Sequence, residues 1–479
     1  MTKGNIDVHC HFFNGAFAFD ELLEIGWRWL HDNYPYKDDE LIGLKALSII
    51  PPDMEKLINY VASLFETIVR SPEENYNYEQ QCYTTSLWNP SQPLITAPLM
   101  MDIFFMLDNG SAHQQKSKLL ELTGETRAAA FSPSLITEQE IPSFDEFAEE
   151  MKKAVIRVYE ERVAVRTRDV GLVAKSTPSV AAELDSVISE FKFDKGTEQR
   201  SKGLLAGSDV QMTKGYRKHL NALKELKQNN PQTVFPFLAV DPRRIGIEQL
   251  VREQVIEGEF LGVKLYCPLG YLPSHPELYP VFKLCIEHDI PITSHTSPGG
   301  LPSMCDTIST LSRKRDGTEK TVIFDKSKIK LLQKGDSAQS LFFANPKNWL
   351  EVLENRELSK LRVNFAHFGG SDNIKAYADA LRKHLPESSM PHNWTTQIIN
   401  LMERFEHVYA DIAYCPDVPL QDIETIIQRH PIVKKRLMFG TDFVMIMMTK
   451  EGLEEYFKHY AGINPGLARD NPAAFLRLT

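Results

Sequence analysis

The chain has 479 residues, of which 42% are hydrophobic, so it can bury a large core and exceeds the usual size of one simple domain. Lysine and arginine total 54 against 64 acidic residues, and the formal charge of −10 argues against nucleic acid or an anionic membrane as a partner. The sequence contains no run of about eighteen apolar residues, the length that a membrane-spanning helix needs.

The N-terminal sequence and the cysteines both predict a protein of a reducing compartment. The first predicted strand begins within a few residues of the N-terminus, and no apolar leader precedes it, so we expect a cytoplasmic protein. Six cysteines are scattered along the chain without a Cys-x-x-Cys pair, which predicts free thiols. The expected partner is a small-molecule substrate, and a homo-oligomer remains an open alternative.

Eight strand candidates follow one another along the chain. Most are near-continuous apolar runs, which are typical of parallel strands covered on both faces. They span residues 5–11, 94–101, 233–240, 260–267, 290–295, 361–367, 407–413 and 436–442. Helical patterns lie between them, for example after Pro276 and after Asn345-Pro346. Eight repeats of strand and helix predict an α/β fold, a (β/α)8 TIM barrel, with residues 1–479 forming one domain.

Three connections are too long to be single crossover helices. Residues 14–93 and 103–232 are predicted to be helical insertions after strands 1 and 2. Residues 299–343 contain a charged run at 312–320 and are predicted to be a loop insertion. Connections that follow barrel strands emerge on the C-terminal face, so we expect all three to shape the substrate pocket. The helical patterns begin at Asp53, Ser143 and Thr177, and a last one ends at Asn229-Asn230.

Side chains that commonly bind metals lie at the ends of four predicted strands. His9 and His11 share one face of the first strand, because alternate residues of a strand point the same way. His295, His367 and Asp442 end the fifth, sixth and eighth strands. The C-terminal ends of barrel strands meet at one rim, so residues hundreds of positions apart are expected to converge there.

These side chains suit a divalent transition metal. Imidazoles and a carboxylate favour Zn²⁺, with Mn²⁺, Fe²⁺ or Co²⁺ as alternatives. Each residue also has a structural interpretation. A lone His-x-His pair often marks only the point where a strand reaches solvent, and His295 or His367 alone could be a core histidine that is hydrogen-bonded to the backbone. A purely structural role would have to hold for all five residues at once, and the metal site is therefore favoured.

The residues lie within motifs by which the chain resembles the amidohydrolase superfamily, in particular its amidohydrolase-related, aminocarboxymuconate semialdehyde decarboxylase-like group. The motifs are Asp7-Val-His9-Cys-His11, Val240-Asp241-Pro242-Arg243-Arg244, Gly262-Val-Lys264-Leu-Tyr266, Ile292-Thr-Ser-His295, Phe365-Ala-His367-Phe-Gly-Gly370, Phe439-Gly-Thr-Asp442 and Asn471-Pro-Ala-Ala-Phe475. The resemblance covers the barrel strands and the tail but not the two long helical insertions. It implies one metal ion held by His9, His11, His295 and Asp442, with His367 as the acid/base or polarising histidine.

General chemistry supports the same assignment. A divalent metal lowers the pKa of bound water to roughly 7, Asp442 can hold the proton, and His367 can donate to the carbonyl oxygen or leaving group. We therefore predict a metal-dependent hydrolase that attacks a C–N, C–O or C–C bond of a small carbonyl-containing substrate. A decarboxylase (lyase) acting on a small aromatic or unsaturated carboxylate could use the same site. A non-catalytic metal-binding scaffold is disfavoured, because no ligand position is substituted.

Lys264 on the fourth strand has three interpretations. It could bind a substrate carboxylate, or it could pair with Asp241 or Asp102. In binuclear amidohydrolases a lysine at the end of the fourth strand is carboxylated and bridges two metals, and His295 and His367 would then hold the second ion. Substrate binding is the favoured interpretation.

Three other polar residues receive assignments from the sequence. Tyr266 lies two residues from Lys264 and is predicted to bind substrate, with core packing as the alternative. Asp411 inside the seventh strand and Arg243 after the third are interpreted as structural hydrogen-bonding groups.

Overall fold

The structure is a computed structural model, and it describes residues 4–20, 22–23, 58, 71–86, 88, 92–108, 110, 144–166, 179–189, 212–331, 335–447, 449 and 452–478. The strands in these residues are β1 (Ile6–Cys10), β2 (Ile95–Pro98), β3 (Phe237–Val240), β4 (Gly262–Leu265), β5 (Ile292–His295), β6 (Thr307–Arg313), β7 (Glu319–Asp325), β8 (Val363–Ala366), β9 (Val408–Asp411) and β10 (Leu437–Met438). The α-helices are Pro72–Thr85, Phe144–Arg166, Lys214–Asn229, Ile247–Val251, Leu278–Glu287, Ala338–Phe343, Leu350–Leu353, Ser371–Arg382, Trp394–Arg404, Leu420–Arg429, Pro431–Arg436, Phe443–Met447, Gly452–Tyr460 and Asn471–Leu476. Residues 15–20 and 179–189 are also helical.

All eight predicted strands are present, each shorter than predicted, and together they close into a parallel barrel. β1 pairs with β2, and the other six form a sheet in the order β10, β9, β8, β5, β4, β3. A parallel bridge from Leu99 to Phe237 joins the end of β2 to β3. The Thr441 amide donates to the His9 carbonyl at 3.1 Å and joins the segment after β10 to β1. The predicted (β/α)8 barrel is confirmed.

The central strands are short and fully covered, which explains their near-continuous apolar sequences. All residues of β3, β4, β5 and β8 are buried. Close packing at the start of β4 requires glycine, because a Cβ on Gly262 would lie 2.4 Å from the ring of Phe237. The strands therefore deliver their last residues to one rim with little freedom to shift.

The C-terminal helix closes one side of the barrel core. Phe475 packs with residues of β1, β2, β3 and β10 in an apolar cluster. Its ring stacks on Phe237 at a centroid distance of 6.3 Å and contacts Tyr409 at 5.4 Å. Complete burial of a phenylalanine stabilises a fold by about 1.5–3 kcal/mol, so this helix contributes substantially to barrel stability.

The insertion at 299–343 differs from its predicted loop conformation. β6 and β7 form an antiparallel hairpin, and the charged run at 312–320 lies around its tip. From Lys314 to Lys320 the residues are exposed, as the charge pattern predicts. Ile308 on β6 and Phe324 on β7 are fully buried, and this apolar pair anchors the hairpin against the barrel. The charged residues at the tip dominate the sequence pattern of this insertion, so the two short strands on either side of them were not predicted.

Three of the helices predicted within the long insertions are present, and one lies outside the described residues. Helices at Lys214–Asn229, Phe144–Arg166 and 179–189 confirm those predicted within 103–232. The helix predicted after Asp53 lies outside the described residues, apart from Ile58. All six cysteines are free thiols, as predicted. Among the described residues, no helix is long and apolar enough to cross a membrane.

We expect Phe475→Ala to lower the free energy of unfolding by about 3–5 kcal/mol, because it leaves a cavity between the C-terminal helix and the barrel. Urea denaturation followed by circular dichroism measures the change. The control is Ile323→Ala on the hairpin, where the side chain is 67% exposed and the expected change is within about 0.5 kcal/mol. Equal effects of the two substitutions would contradict the packing described for Phe475.

Candidate metal centre

The residues that the sequence predicts for the site line one cavity of about 300 Å³. The cavity opens at the C-terminal ends of the barrel strands, where β1, β4, β5 and the segments after β8 and β10 each contribute side chains. Folding therefore brings together residues from both ends of the chain. The predicted site residues in its lining are His9, His11, Lys264, Tyr266, His295, His367 and Asp442.

The two histidines at the end of β1 are each oriented by an oxygen. His9 Nδ1 lies 3.1 Å from Asp411 Oδ2, and His11 Nδ1 lies 2.7 Å from the Leu99 carbonyl oxygen. Because these oxygens accept hydrogen bonds, Nδ1 of each ring carries a proton, and Nε2 is the nitrogen that is available to a metal ion. Burial lowers the pKa of His11 well below its usual value, so its ring is neutral. Both side chains are therefore prepared to bind a cation.

His295 and His367 face each other with two lone pairs. His367 Nδ1 lies 3.0 Å from the Ala413 carbonyl oxygen, and His295 Nε2 lies 3.0 Å from that of Gly299. Both of these nitrogens must be donors, so in neutral rings His367 Nε2 and His295 Nδ1 are acceptors, yet they lie only 3.0 Å apart. Burial lowers the pKa of His295 well below its usual value and that of His367 to about 3, which disfavours a shared proton.

A cation bound between these two nitrogens would relieve the repulsion of their lone pairs. Two nitrogen ligands at about 2.1 Å from one ion lie about 3.0–3.4 Å apart, depending on the coordination angle. The observed separation of His295 Nδ1 and His367 Nε2 falls at the start of this range. The donor set of the cavity therefore fits a transition metal on evidence independent of the sequence motifs.

Asp442 is held in a strained conformation beside His9. It lies four residues after β10, has a φ of 56°, and donates its backbone amide to the His9 carbonyl at 2.6 Å. The approach depends on Gly440, where a Cβ would lie 2.8 Å from that of His9. Left-handed backbone in a residue other than glycine costs about 1–3 kcal/mol and persists where the surroundings impose it. Burial raises the pKa of Asp442, although the neighbouring His9 and Lys264 oppose that shift.

The donor atoms form a continuous group around this point. Donor atoms of His9, His367 and Asp442 lie within 4.8 Å of one another. His11 Nε2 lies 3.5 Å from Asp442 Oδ1 and adjoins the group on one side, and His295 adjoins it through His367 on the other. His367, to which the sequence assigns an acid/base role, thus lies as close to the other donors as a ligand would.

Asp411 links three of the strands behind the site. Its carboxylate accepts from His9 Nδ1, from Asn364 Nδ2 at 2.6 Å and from the His367 amide at 2.9 Å. Burial opposes ionisation, but the His9 ring and these hydrogen bonds lower the pKa of Asp411 below its usual value. The structural role predicted for it is thus connected directly to two site histidines. An acidic residue inside an otherwise apolar buried strand is the sequence signal for such a role.

Lys264 does not form either of the ion pairs considered from the sequence. Asp241 is bound by Arg243 at 2.7 Å, and Asp102 is bound by Arg244 at 2.6 Å. Within the described part of the chain, the Lys264 ammonium has no hydrogen-bond partner, although the residue is only 3% exposed. Burial lowers its pKa to about 8. A buried cation without a partner is costly, so the cavity favours an anionic group at this position.

Tyr266 connects the site to the third insertion. Its hydroxyl accepts from the Leu301 amide at 2.7 Å, and its ring lies 4.8 Å from that of His295. Its own amide donates to the hydroxyl of Tyr271, which in turn donates to the Val240 carbonyl. Burial raises the pKa of Tyr266 above its usual range, so the phenol is neutral. Tyr266 both lines the cavity and holds the insertion loop over it.

The insertions contribute unequally to the cavity. Ile103 and Met106 from 103–232 line it, as do Leu301 and Asp336 from 299–343. From 14–93, none of the residues that the structure describes lies in its lining. The first insertion contacts the site from behind instead, through Glu79. Sequence reasoning did not single out Glu79, because its helix shows a capping box at Ser71 and Glu74 but no functional motif.

Comparison with known proteins identifies the family. Residues 190–478 match the model of the amidohydrolase family, which is more than half of the chain. The chain belongs to the amidohydrolase family. Its resemblance to that superfamily, predicted from short motifs, is confirmed, and so is an enzyme of a metal-dependent family. No curated protein matches the chain in sequence.

Several solved structures resemble this amidohydrolase at low identity. The 5-carboxyvanillate decarboxylase from Sphingomonas paucimobilis is 10% identical, with a TM-score of 0.36 over 55% of this chain and 72% of that one. An uncharacterized TIM-barrel protein from Bordetella bronchiseptica is 16% identical, with a TM-score of 0.35 over 54% of this chain and 72% of that one. An amidohydrolase from Bifidobacterium longum subsp. infantis is 10% identical, with a TM-score of 0.30 over 54% and 75%.

We expect Asp411→Asn to weaken metal binding about 10–100-fold, because it removes the carboxylate that orients His9. Competition between the protein and a chelator of known affinity for Zn²⁺ measures the change. The control is Asp379→Asn, which alters an exposed carboxylate paired with Arg382 and should leave metal affinity unchanged. Wild-type affinity in Asp411→Asn would show that His9 needs no such support.

Proposed function

We propose that this amidohydrolase is a hydrolase that uses a metal-activated water against a C–N, C–O or C–C bond of a small carbonyl-containing substrate. The observation that carries the proposal is the convergence of His9, His11, His295, His367 and Asp442 on one cavity, with donor atoms of three of them within 4.8 Å of one another. An apolar wall that includes Met100 completes a cavity suited to a compact substrate.

The residues of the site divide the work of hydrolysis between them. A divalent cation held here would supply Lewis acidity, polarising a carbonyl and lowering the pKa of water to roughly 7. Asp442 would accept a proton at a carboxylate oxygen, since it lies among the donors and has no ion pair with lysine or arginine in the described residues. His367 Nε2, which carries a lone pair in the neutral ring, would take that proton from Asp442 and pass it to the leaving group, a contribution of about 10²–10⁴ in rate.

We further propose a single Zn²⁺ ion bound by His9, His11, His295 and Asp442. Neutral imidazoles and one carboxylate are usual ligands of zinc, although Mn²⁺, Fe²⁺ and Co²⁺ accept the same donors. The alternative is two ions bridged by carboxylated Lys264. The facing nitrogens of His295 and His367 and the unpartnered Lys264 ammonium are the observations that favour this alternative.

Decarboxylation of a small carboxylate is the second candidate function. Lys264 favours it, because a buried ammonium in the cavity wall would bind a substrate carboxylate. The same metal ligands and the same His367 would serve either reaction. Hydrolysis stays the first candidate because it needs a group that accepts the proton of the attacking water, and Asp442 lies among the donor atoms where it could do so.

Product analysis separates the two reactions. Zinc-loaded protein would be incubated with a panel of amides, lactones and aromatic or unsaturated carboxylates, each assayed by mass spectrometry. A product heavier than its substrate by one water, or its two fragments, would support hydrolysis. Loss of carbon dioxide alone would replace it with the decarboxylase. The Asp442→Asn variant is the control for background reaction.

We expect purified protein to contain one equivalent of transition metal, mostly zinc, with anomalous scattering centred between His9, His11, His295 and Asp442. Inductively coupled plasma mass spectrometry gives the stoichiometry, and crystallography above and below the zinc edge gives the position. Two ions about 3.5–4 Å apart, with extra density on Lys264, would establish the binuclear arrangement instead. An empty site in metal-replete protein would refute both arrangements.

Two substitutions distinguish the roles proposed for the facing histidines. His295→Ala should lower both metal content and activity, because it removes one of the ligands. His367→Asn should keep the metal and lower turnover about 10²–10⁴-fold, because it removes the acid/base group. Metal content and kcat are measured on the same samples. Loss of metal from His367→Asn would place His367 among the ligands, and normal turnover would exclude it from the reaction.

A further inference from the structure

Tyr414 follows the end of β9 in a strained backbone conformation. Its φ is 51°, which lies in the left-handed region that a tyrosine rarely adopts. Left-handed backbone outside glycine persists only where the surrounding structure imposes it, and such residues cluster at active sites and ligand-binding sites. Tyr414 is therefore a candidate for a functional role, although no sequence motif marks it.

Hydrogen bonds on both sides of Tyr414 hold this backbone in place. The amide of Tyr414 donates to the Thr441 carbonyl at 3.2 Å, and the preceding amide, that of Ala413, donates to Asp411 Oδ1 at 3.0 Å. The carbonyl of the residue after Tyr414 accepts from the hydroxyl of Tyr460 at 2.7 Å. Because the backbone is fixed at each of these points, the direction in which the Tyr414 side chain leaves it is fixed as well.

The side chain of Tyr414 lines the cavity and is left open to contact. It is 38% exposed, whereas most large apolar side chains of the barrel are buried. A tyrosine suits the boundary between a cavity and solvent, because its ring is apolar and its hydroxyl can stay hydrated. Among the described residues, the other exposed large apolar side chains lie outside the cavity lining, and they are Ile245, Ile323, Leu331 and Leu385.

Much of the remaining apolar lining of the cavity is adaptable in shape. It includes four methionines, which are Met100, Met101, Met106 and Met445. Unbranched thioether side chains adjust to the groups that they contact, so methionine-rich surfaces accept ligands of different shapes. Such side chains discriminate poorly between substrates. The ring of Tyr414, which is attached to a fixed backbone, is in contrast a contact of defined shape.

We propose that Tyr414 is a specificity-determining residue whose ring contacts the group attached to the reacting carbonyl and favours a flat group there over a puckered one. Its backbone adjoins Asp442 through Thr441, and its side chain lines the cavity that contains the metal ligands. A flat unsaturated group can lie against the ring, and aromatic pairs are favoured beyond the area that they bury. The inference rests on the proposed function in one respect, that the carbonyl is bound at the metal centre, and it does not depend on which bond breaks.

Two probes that differ only in the shape of one ring test the proposal by binding, without any reaction. Benzohydroxamic acid and cyclohexanecarbohydroxamic acid have the same zinc-binding group, and their six-membered rings are flat and puckered respectively. Isothermal titration calorimetry with the zinc-loaded full-length protein gives the ratio of their affinities. We expect the preference of wild type for the flat probe to exceed that of Tyr414→Asn by about 2–12-fold, the size of one aromatic pair.

The variants are chosen so that the backbone is kept and only the ring changes. Asparagine adopts left-handed backbone more readily than other non-glycine residues, so Tyr414→Asn should fold, which circular dichroism and thermal melting check. Tyr414→Phe keeps the ring and should keep the preference of wild type. The matched control is Tyr279→Asn, which removes a half-buried tyrosine outside the cavity lining and should also leave the preference unchanged.

Three results would overturn the role proposed for Tyr414. The first is an equal preference in wild type and Tyr414→Asn, and the second is loss of the preference in Tyr414→Phe, because the hydroxyl and not the ring would then be responsible. The third is a crystal structure of the benzohydroxamic acid complex in which the phenyl ring lies more than about 7 Å from that of Tyr414.

Acetohydroxamic acid, which has no ring, separates this inference from the proposed function. If it binds zinc-loaded wild type and Tyr414→Asn equally, while the preference between the two ring probes is the same in both proteins, the metal centre stands and only the role of Tyr414 is refuted. If it does not bind zinc-loaded wild type, the metal centre is refuted and the role of Tyr414 with it.

Discussion

The structure of the site depends on hydrogen bonds that fix one nitrogen of each histidine. Every one of these rings has a nitrogen opposite an oxygen that accepts, so that nitrogen keeps its proton and the other keeps its lone pair. The lone pairs then meet in one cavity, and in the case of His295 and His367 they are only 3.0 Å apart. The fixing oxygens belong to Asp411 for His9, Leu99 for His11, Gly299 for His295 and Ala413 for His367.

The charges of the cavity follow from the same constraint. Beside the histidines, the cavity contains the carboxylate of Asp442 and the unpartnered ammonium of Lys264. Asp241 and Asp102, which also line the cavity, are paired with Arg243 and Arg244. A cation beside Asp442 and an anion beside Lys264 would complete the charge balance, which is an arrangement suited to a metal and a carbonyl or carboxylate substrate.

The insertions support the barrel from opposite directions. The hairpin insertion packs over the cavity and is attached through the Leu301 amide and the Tyr266 hydroxyl. The helix Pro72–Thr85 packs behind β1 and delivers Glu79 to Asp7. His367 and Asp442 both have left-handed backbone, which persists only where the surroundings impose it, so contacts from outside the barrel help to hold these segments.

The sequence by itself determined the barrel and the identity of the residues at its rim. Apolar runs specify parallel strands, and parallel strands in a barrel bring their C-terminal ends together, so His9, His295 and Asp442 could be grouped before any coordinates were known. Only the tertiary structure decided which histidine nitrogens are available to a metal. It also decided that Lys264 pairs with neither Asp241 nor Asp102, and that Glu79 lies beside Asp7. Those features depend on contacts between residues far apart in the chain, and the local periodicity of a sequence contains no information about such contacts.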